Sequence, residues 1–143
     1  MRALRVDKLT YAALEATLLE HLSGRARATV PVARMIAMPA SAITERAAGM
    51  ATQLDGAPRM RVTLVEGRST IGGGSAPGSS LPTTLLTVEV AGLSADALES
   101  HLRHSTPPVI GRIQDDHVVL DLRTVHPDEE AAVVQALLRA TEI

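Results

Sequence analysis

The sequence predicts an α+β (α/β) protein with a mostly antiparallel sheet of about four strands and with helices on one face of that sheet. Three observations lead to this prediction. Apolar residues recur with helical spacing in several segments, they alternate with polar residues in two others, and two short β-rich runs enclose a turn. The chain has 143 residues, of which 45% are hydrophobic, so it is long enough to bury a core.

The first predicted element is a helix over residues 7–22. Its leucines recur at every fourth position and therefore share one side of the helix: Leu14, Leu18 and Leu22. Gly24 ends the helix, because glycine readily adopts the left-handed conformation found after helices. Residues 25–38 show a mixed pattern, in which Pro31 limits regular structure.

A second helix is predicted from Pro39 to about Leu54. Its buried side contains Ala47, Met50 and Leu54. Residues 59–66 alternate between polar and apolar side chains, which is typical of a half-buried strand. Residues 71–82 are rich in glycine, serine and proline and predict a loop, and residues 84–90 predict the second strand.

A helix and a hairpin are expected next. Ser94 is a suitable N-cap for a helix that reaches about His104. Residues 109–113 and 117–122 are β-rich and enclose residues 114–116, so we expect a hairpin here.

The last predicted helix begins near Pro127, where a proline followed by acidic residues favours a helix N-terminus. Its apolar face contains Val133, Val134, Leu137 and Leu138. Two strands followed by a helix, a hairpin and a helix give the order from which the antiparallel sheet is predicted.

Composition excludes several kinds of site. The chain has no cysteine, tryptophan or phenylalanine, and Tyr11 is its one aromatic residue. A disulfide framework, a thiolate nucleophile and a cysteine-ligated zinc are therefore excluded, as is stacking of bases on several aromatic rings. The five histidines lack the spacing of metal ligands, so we expect no metal site. The carboxylates Asp115, Asp116 and Asp121 are interpreted as turn and strand-surface groups.

Charge and hydropathy limit the environment and the partners. A net charge of -2 argues against binding of nucleic acid, DNA in particular, through bulk charge. No stretch approaches the roughly 18 apolar residues of a membrane helix, and residues 1–8 are too polar for a signal peptide, so we expect a cytoplasmic protein. Residues 1–68 carry ten basic and six acidic side chains, which indicates either an anion-facing half or a few solvated arginines.

Three features are candidates for ligand binding. Arg2 and Arg5 can converge on a phosphate-like anion, or they can belong to a solvated terminus. The second feature is a glycine-rich loop that contains Gly72, Gly73, Gly74 and Ser75. Such a loop can bring backbone amides close to a ligand, or it can be a flexible connector. Arg112 lies in an apolar run and must either meet an anion or reach solvent at the sheet edge.

These features occur in the same order as the motifs of one enzyme family. They are Arg-Ala-Leu-Arg-Val-Asp-Lys-Leu-Thr from Arg2, Gly-Gly-Gly-Ser-Ala-Pro-Gly from Gly72, Pro-Pro-Val-Ile-Gly-Arg-Ile from Pro107 and Leu-Asp-Leu-Arg-Thr-Val from Leu120. Together they closely resemble the C-terminal part of bacterial L-seryl-tRNA(Sec) selenium transferase, also called selenocysteine synthase. The resemblance covers essentially the whole chain.

The resemblance implies a fold and a reaction. The chain would include the C-terminal small domain of an aspartate-aminotransferase-like (fold type I) enzyme that uses pyridoxal phosphate (PLP) and works as a homo-oligomer. The family converts seryl-tRNA(Sec) to selenocysteinyl-tRNA(Sec) with selenophosphate as the selenium donor. It does so through a dehydroalanyl intermediate, for which PLP acts as the electron sink.

The resemblance also implies roles for residues. Arg2 and Arg5 look like the arginines that bind the phosphate-like selenium donor, and Arg112 resembles, more loosely, a substrate-binding arginine of the small domain. The loop at residues 72–75 would approach the active site or a subunit interface. Lys8 matches a later lysine of the family, while the Schiff-base lysine belongs to a segment that precedes the Arg-Ala-Leu-Arg motif. We therefore expect that this chain does not bind PLP covalently and is inactive alone.

The implied organisation has two parts. Residues 1–38 would be a linking helix and connector from a large PLP domain, and residues 39–143 would be the small α+β domain. Two other functions remain open on the sequence. One is the C-terminal domain of a related PLP-dependent lyase that acts on a small amino acid or amino sugar, and the other is a non-catalytic interaction module.

Overall fold

Asp7 begins the first helix of the chain in the computed structural model, which describes residues 6–72 and 78–143. Its carboxylate accepts a hydrogen bond from the backbone N–H of Thr10 at 2.9 Å, which is the geometry of a helix N-cap. Helix α1 extends over Lys8–Leu22, and Gly24 follows it with a φ of 75°. The first predicted helix is therefore confirmed.

Two short helices follow in the segment for which the sequence predicts a mixed structure limited by Pro31. They are α2 at Ala26–Thr29 and α3 at Pro31–Ala37, so residues 25–38 contain more regular structure than the sequence predicts. Pro31 does not interrupt a helix because it lies in the first turn of α3, where a missing N–H removes no intrahelical hydrogen bond. The three helices belong to the first of two compact units, which divide between Met38 and Pro39.

Helix α1 does not bury an apolar face. None of its residues is buried, and its large apolar side chains stay exposed: Leu9, Tyr11, Leu14, Leu18, Leu19 and Leu22. The leucine spacing thus predicts the helix correctly but not the environment of its apolar side. The assignment of residues 1–38 as a linker from a PLP domain stays a prediction.

The second unit contains three α-helices and four strands among its described residues. The helices are α4 at Ala40–Leu54, α5 at Ala95–Arg103 and α6 at Glu130–Ala140. The strands are β1 at Met60–Thr70, β2 at Ser80–Val90, β3 at Arg112–Gln114 and β4 at His117–Asp121. Single 3₁₀ turns occur at Leu122–Thr124 and at Pro127–Glu129.

The four strands form one antiparallel sheet in the order β1-β2-β4-β3. Strands β1 and β2 pair over their whole length, from Met60 opposite Val90 to Thr70 opposite Ser80. Strands β2 and β4 pair over a shorter stretch, from Leu85 opposite Asp121 to Val88 opposite Val118. The α+β class and the four-stranded antiparallel sheet are therefore confirmed, whereas their place in a fold type I enzyme stays a prediction.

Helices α4 and α5 pack against one face of the sheet. The hydroxyls of Thr44 on α4 and Thr84 on β2 lie 2.6 Å apart, so α4 covers the face to which the even-numbered residues of β2 point. The most buried side chains of this core are Ile43, Met50, Leu86, Val88, Leu98, Leu102, Val118, Leu122 and Leu137. The predicted buried side of α4 is confirmed, because Ala47, Met50 and Leu54 are all buried.

The strands differ in length from their predictions. Strand β1 continues to Thr70, β2 begins at Ser80 inside the predicted loop, and β3 begins only at Arg112. Pro82 is compatible with β2 because it lies where β4 does not pair, since β4 meets β2 from Leu85 onward. Its missing N–H therefore costs no hydrogen bond to a second neighbouring strand.

Within residues 6–72 and 78–143, no helix combines the length and the apolar character that crossing a bilayer requires.

Candidate functional site

Arg112 lies at the start of β3, an edge strand, and it is exposed. It lines a cleft of about 230 Å³ at the end of the sheet where the β1–β2 hairpin turns. The other residues that line the cleft are Ser69, Thr70, Ile110, Gly111, Val119, Asp121 and Thr124. The structure thus brings one predicted site residue next to the last residues of β1.

The remaining predicted site residues have different positions. Gly72 is exposed and follows β1 by two residues. The predictions for Arg2, Arg5, Gly73, Gly74 and Ser75 lie outside the described residues. Their proposed roles therefore stay predictions.

The segment before Arg112 is fixed by close contacts on both sides. The backbone N–H of Val109 donates to the carbonyl of Leu102 on α5 at 2.9 Å. Gly111 lies so near β4 that a Cβ at this position would be 3.0 Å from Cγ1 of Val118 and 3.3 Å from Cδ2 of Leu120. The glycine of this motif thus permits a close approach of two backbones, and this approach sets the position at which Arg112 enters the sheet.

The base of the glycine-rich loop is closed directly beside the cleft. Thr70 is the last residue of β1 and also a cleft residue. The N–H of Ile71 donates to the carbonyl of Ser79 at 3.2 Å. Arg68 donates from Nε to Oγ of Ser80 at 2.6 Å and from Nη2 to its carbonyl at 3.0 Å. These bonds fix both ends of the loop relative to the sheet.

A polar network adjoins the same cleft. The carboxylate of Asp121 accepts hydrogen bonds from Oγ of Ser69 at 2.6 Å and from Oγ1 of Thr83 at 3.0 Å. It also accepts from the backbone N–H of Arg123 at 3.0 Å. The Arg123 side chain donates from Nε to Oγ of Ser69 at 2.9 Å and from Nη2 to the carbonyl of Pro82 at 2.7 Å. The end of β4 is thereby bonded to both strands of the hairpin that carries the glycine-rich loop.

Arg123 carries a buried charge within this network. Its residue is only 5% exposed, and burying a guanidinium is costly unless its donors are satisfied and a negative charge is near. Ser69 meets this need by accepting from Arg123 and donating to Asp121, so that one hydroxyl joins the two charged groups. The network thus contains one positive and one negative side chain, Arg123 and Asp121, joined through Ser69.

Arg112 differs from Arg123 in that it forms no hydrogen bond or ion pair with any residue that the structure describes. Three hydroxyl-bearing residues, Ser69, Thr70 and Thr124, line the cleft beside it. An exposed guanidinium with hydroxyl groups nearby suits a phosphate-like or ester oxygen of a ligand. The arrangement therefore favours recognition of an anion at the edge of the sheet.

The cleft does not fit a covalently bound PLP. A PLP Schiff base needs a lysine, and the one lysine of the chain, Lys8, lies in α1 of the first unit and not among the cleft residues. In the described part of the chain, no cluster of three histidine or carboxylate side chains is placed to hold a metal ion. Among the residues that line the cleft, Arg112 and the hydroxyl groups are the ones that could bind an anion.

Sequence reasoning missed Ser69, Thr83 and Arg123, and it treated Asp121 as a strand-surface carboxylate. Asp121 does lie on the strand surface, but both of its carboxylate oxygens also accept hydrogen bonds from neighbouring strands or turns, which the sequence does not predict. The available signal was the Leu-Asp-Leu-Arg-Thr-Val motif, which contains both Asp121 and Arg123. The motif does not show that this arginine is buried, because its partners lie 41 and 54 residues away along the chain.

Comparison with known proteins gives a consistent result. A family model described as L-seryl-tRNA selenium transferase matches residues 1–126. The L-seryl-tRNA(Sec) selenium transferase of Geobacter sulfurreducens is 43% identical over 140 residues, which cover 96% of this chain and 30% of the relative. The enzyme of the same name from Nitratidesulfovibrio vulgaris is 44% identical over 142 residues, which cover 97% of this chain and 30% of the relative. The chain therefore spans about 30% of the length of the curated relatives that it matches.

Proposed function

Because the chain belongs to the L-seryl-tRNA selenium transferase family, we propose that it supplies the anion-binding small domain of such a transferase. In this function, the complete enzyme converts seryl-tRNA(Sec) to selenocysteinyl-tRNA(Sec) with selenophosphate as the selenium donor. The observation that supports this proposal is the guanidinium of Arg112, which lies in a cleft beside the base of the glycine-rich loop and has no partner among the described residues.

The proposed function requires protein outside this chain. The chain corresponds to about 30% of the length of its relatives, and the cleft offers no lysine for PLP. We therefore place the cofactor and its lysine in the remaining part of the enzyme, which works as a homo-oligomer. The chain alone is expected to bind substrate groups without catalysing the transfer of selenium.

Each arginine has a separate role in the proposal. Arg2 and Arg5 bind the phosphate-like group of selenophosphate, since paired guanidinium groups match phosphate oxygens. Arg112 binds the end of the tRNA that carries serine. The seryl carboxyl group is esterified and carries no charge, so the anionic group left for Arg112 is the adjacent phosphodiester.

A chimeric enzyme tests the proposal. The segment of the Geobacter sulfurreducens transferase that matches this chain is replaced by residues 1–143, and transfer of selenium from selenophosphate to seryl-tRNA(Sec) is measured. We expect the chimera to be active and the isolated chain to be inactive. In the chimera, Arg112→Ala is expected to raise the KM for seryl-tRNA(Sec) about tenfold, the loss typical of one hydrogen bond to a charged group.

Two further variants complete this experiment. The double variant Arg2→Ala with Arg5→Ala is expected to abolish turnover with selenophosphate while seryl-tRNA(Sec) still binds. Arg103→Ala is the matched control, because Arg103 is exposed on α5 and pairs with Glu99 on the same helix. An inactive chimera, or an Arg112→Ala variant with an unchanged KM for seryl-tRNA(Sec), would contradict the proposal.

A further inference from the structure

Arg112 and Asp121 lie in a geometry in which opposite charges usually pair. Arg112 is directly opposite Val119 on β4, and Asp121 is two residues further along, so the two side chains share one face of the sheet. Long side chains at such diagonal positions are within reach of each other. The two residues also line the same cleft. Nevertheless, Arg112 forms no ion pair with Asp121 or with any other described residue.

The polar network explains why this ion pair is not made. Oδ2 of Asp121 is engaged by Ser69, and Oδ1 is engaged by Thr83 and by the backbone N–H of Arg123. The Arg123 guanidinium lies behind Ser69 and is almost completely buried. Asp121 therefore has hydrogen-bond partners at both carboxylate oxygens, and Ser69 links it to the Arg123 guanidinium.

We infer that Arg123 is a positioning residue for the anion site, because it engages Asp121 through Ser69 and so leaves the Arg112 guanidinium available to a phosphate-like ligand. The inference rests on the proposed role of Arg112 in binding an anion. It goes further by assigning a task to Arg123, which itself does not contact the ligand.

The charges of Arg112, Asp121 and Arg123 determine how strongly the cleft attracts an anion. With Arg123 present, Asp121 is balanced and the cleft retains the positive charge of Arg112. Without Arg123, the cleft contains one carboxylate and one guanidinium at diagonal positions, and these can pair with each other. A ligand anion would then have to break that ion pair before it could bind.

Nuclear magnetic resonance of the Nε–H groups of arginine tests this inference on the chain of 143 residues, with inorganic phosphate as the probe. In the unaltered protein, phosphate is expected to shift the Arg112 signal and not the Arg123 signal. The Arg123 Nε–H is expected to exchange slowly with solvent, since it is buried and donates to Ser69. The signal of Arg103, which pairs with Glu99 on α5, serves as an internal control for unspecific binding.

Two variants separate positioning from mere stabilisation. In Arg123→Met, the Arg112 Nε–H is expected to exchange more slowly with solvent. The phosphate affinity of Arg112 is expected to fall about fivefold, which corresponds to the upper end of the free energy of a solvent-exposed ion pair. In the double variant Asp121→Asn with Arg123→Met, the phosphate affinity of Arg112 is expected to return to its original value. If Arg123 had a purely structural role, the phosphate affinity of Arg112 would fall equally in the single and in the double variant.

Two results would overturn the positioning role of Arg123. An Arg123→Met protein that keeps its dispersed methyl spectrum and an unchanged phosphate affinity of Arg112 would overturn it. So would an unaltered protein in which phosphate shifts Arg123 or leaves Arg112 unaffected, a result that is available even if a variant does not fold. Inorganic phosphate requires neither tRNA nor cofactor, so a positive result here together with an inactive chimera would refute the proposed function and leave the positioning role intact.

Discussion

Gly111 determines where the candidate site is placed at the scale of single residues. The space next to its Cα is filled by Val118 and Leu120 of β4, and an added Cβ would also lie 3.4 Å from the carbonyl of Val119. One of these neighbours is backbone and two are buried side chains, so the strand cannot yield easily. The adjacent Arg112 therefore depends on the absence of a side chain at position 111.

Gly111→Ala is expected to destabilise the protein by about 1–3 kcal/mol, the usual cost of forcing extra atoms into a packed position. The phosphate affinity of Arg112 should fall as well, because the start of β3 must move away from β4. Urea unfolding measures the stability. Gly49→Ala is the control, since Gly49 lies inside α4 with no atom within 4 Å of an added Cβ. Gly49→Ala should stabilise the helix by about 0.5–1 kcal/mol. Equal changes in the free energy of unfolding for Gly111→Ala and Gly49→Ala would contradict the packing argument.

Asp7 gives the start of α1 a dependence on pH. Hydrogen bonds from the N–H and the hydroxyl of Thr10 lower the pKa of the Asp7 carboxyl below its ordinary value. Because the folded-state pKa is the lower one, the capping contribution is complete above a pH of about 4 and is lost as the pH falls through the folded-state pKa. Protection of the Thr10 amide from hydrogen exchange should decline over that range. Asp7→Asn, which caps without titrating, should show no such decline, and an identical decline in both proteins would refute the assignment.

Arg123 shows which residues of the site cannot be predicted from sequence. The pattern around Arg112 predicts an arginine that either meets an anion or reaches solvent at the sheet edge, and the structure places it on the edge strand β3. The burial of Arg123 results instead from Ser69 and Pro82, which are brought to it only when β1, β2 and β4 assemble. A local pattern contains no information about such distant partners.

Arg46 joins three elements of the second unit. From α4, its Nε meets Oε1 of Glu130 at the start of α6 at 2.5 Å, and its Nη1 and Nη2 donate to the carbonyls of Leu122 and Val125 at 2.9 and 2.7 Å. The two carbonyls belong to the 3₁₀ turn after β4 and to the residue that follows it. One side chain thereby satisfies backbone groups that have no partner in a regular strand or helix.

Arg46→Met is expected to destabilise the protein by about 2–4 kcal/mol, since it removes a charged donor from the carbonyls of Leu122 and Val125 and the ion-pair partner of Glu130. Chemical denaturation followed by circular dichroism measures this loss. The same substitution at Arg103, whose ion pair with Glu99 lies within one exposed helix face, should cost no more than about 0.5 kcal/mol. A small effect at Arg46 would show that water replaces its hydrogen bonds.

Prolines account for the two main errors in predicting the elements. The sequence predicts that Pro31 limits regular structure, but this residue lies in the first turn of α3; it predicts a loop at Pro82, but this residue lies in β2. Neither position requires a backbone N–H. For Pro31 the reason is local, because the first turn of a helix uses no intrahelical N–H donor. For Pro82 the reason depends on β4, which pairs with β2 only from Leu85 onward. Elements with regular apolar spacing or a clear cap, namely α4 and α5, were predicted within a few residues of their ends.

At the scale of the whole molecule, the two units differ in how they use their apolar residues. The second unit buries leucines and valines from helices and strands in one core. The first unit leaves the leucines of α1 exposed. The spacing that identifies a helix therefore does not show whether its apolar side is buried. Sequence patterns thus predict the sheet and its helices, whereas the burial of each face is decided by contacts between elements.

The strand order also has a consequence for how the protein folds. The sheet consists of two local hairpins, β1–β2 and β3–β4, which are joined only by the pairing of Leu85–Val88 with Val118–Asp121. Each hairpin closes a short loop, while the pairing that joins them must bring together segments separated by α5, at a higher cost in chain entropy. We expect the amides within each hairpin to become protected early in refolding, and those that bond β2 to β4 to become protected last. Pulse-labelling hydrogen exchange would reveal this order, and simultaneous protection of all three pairings would exclude it.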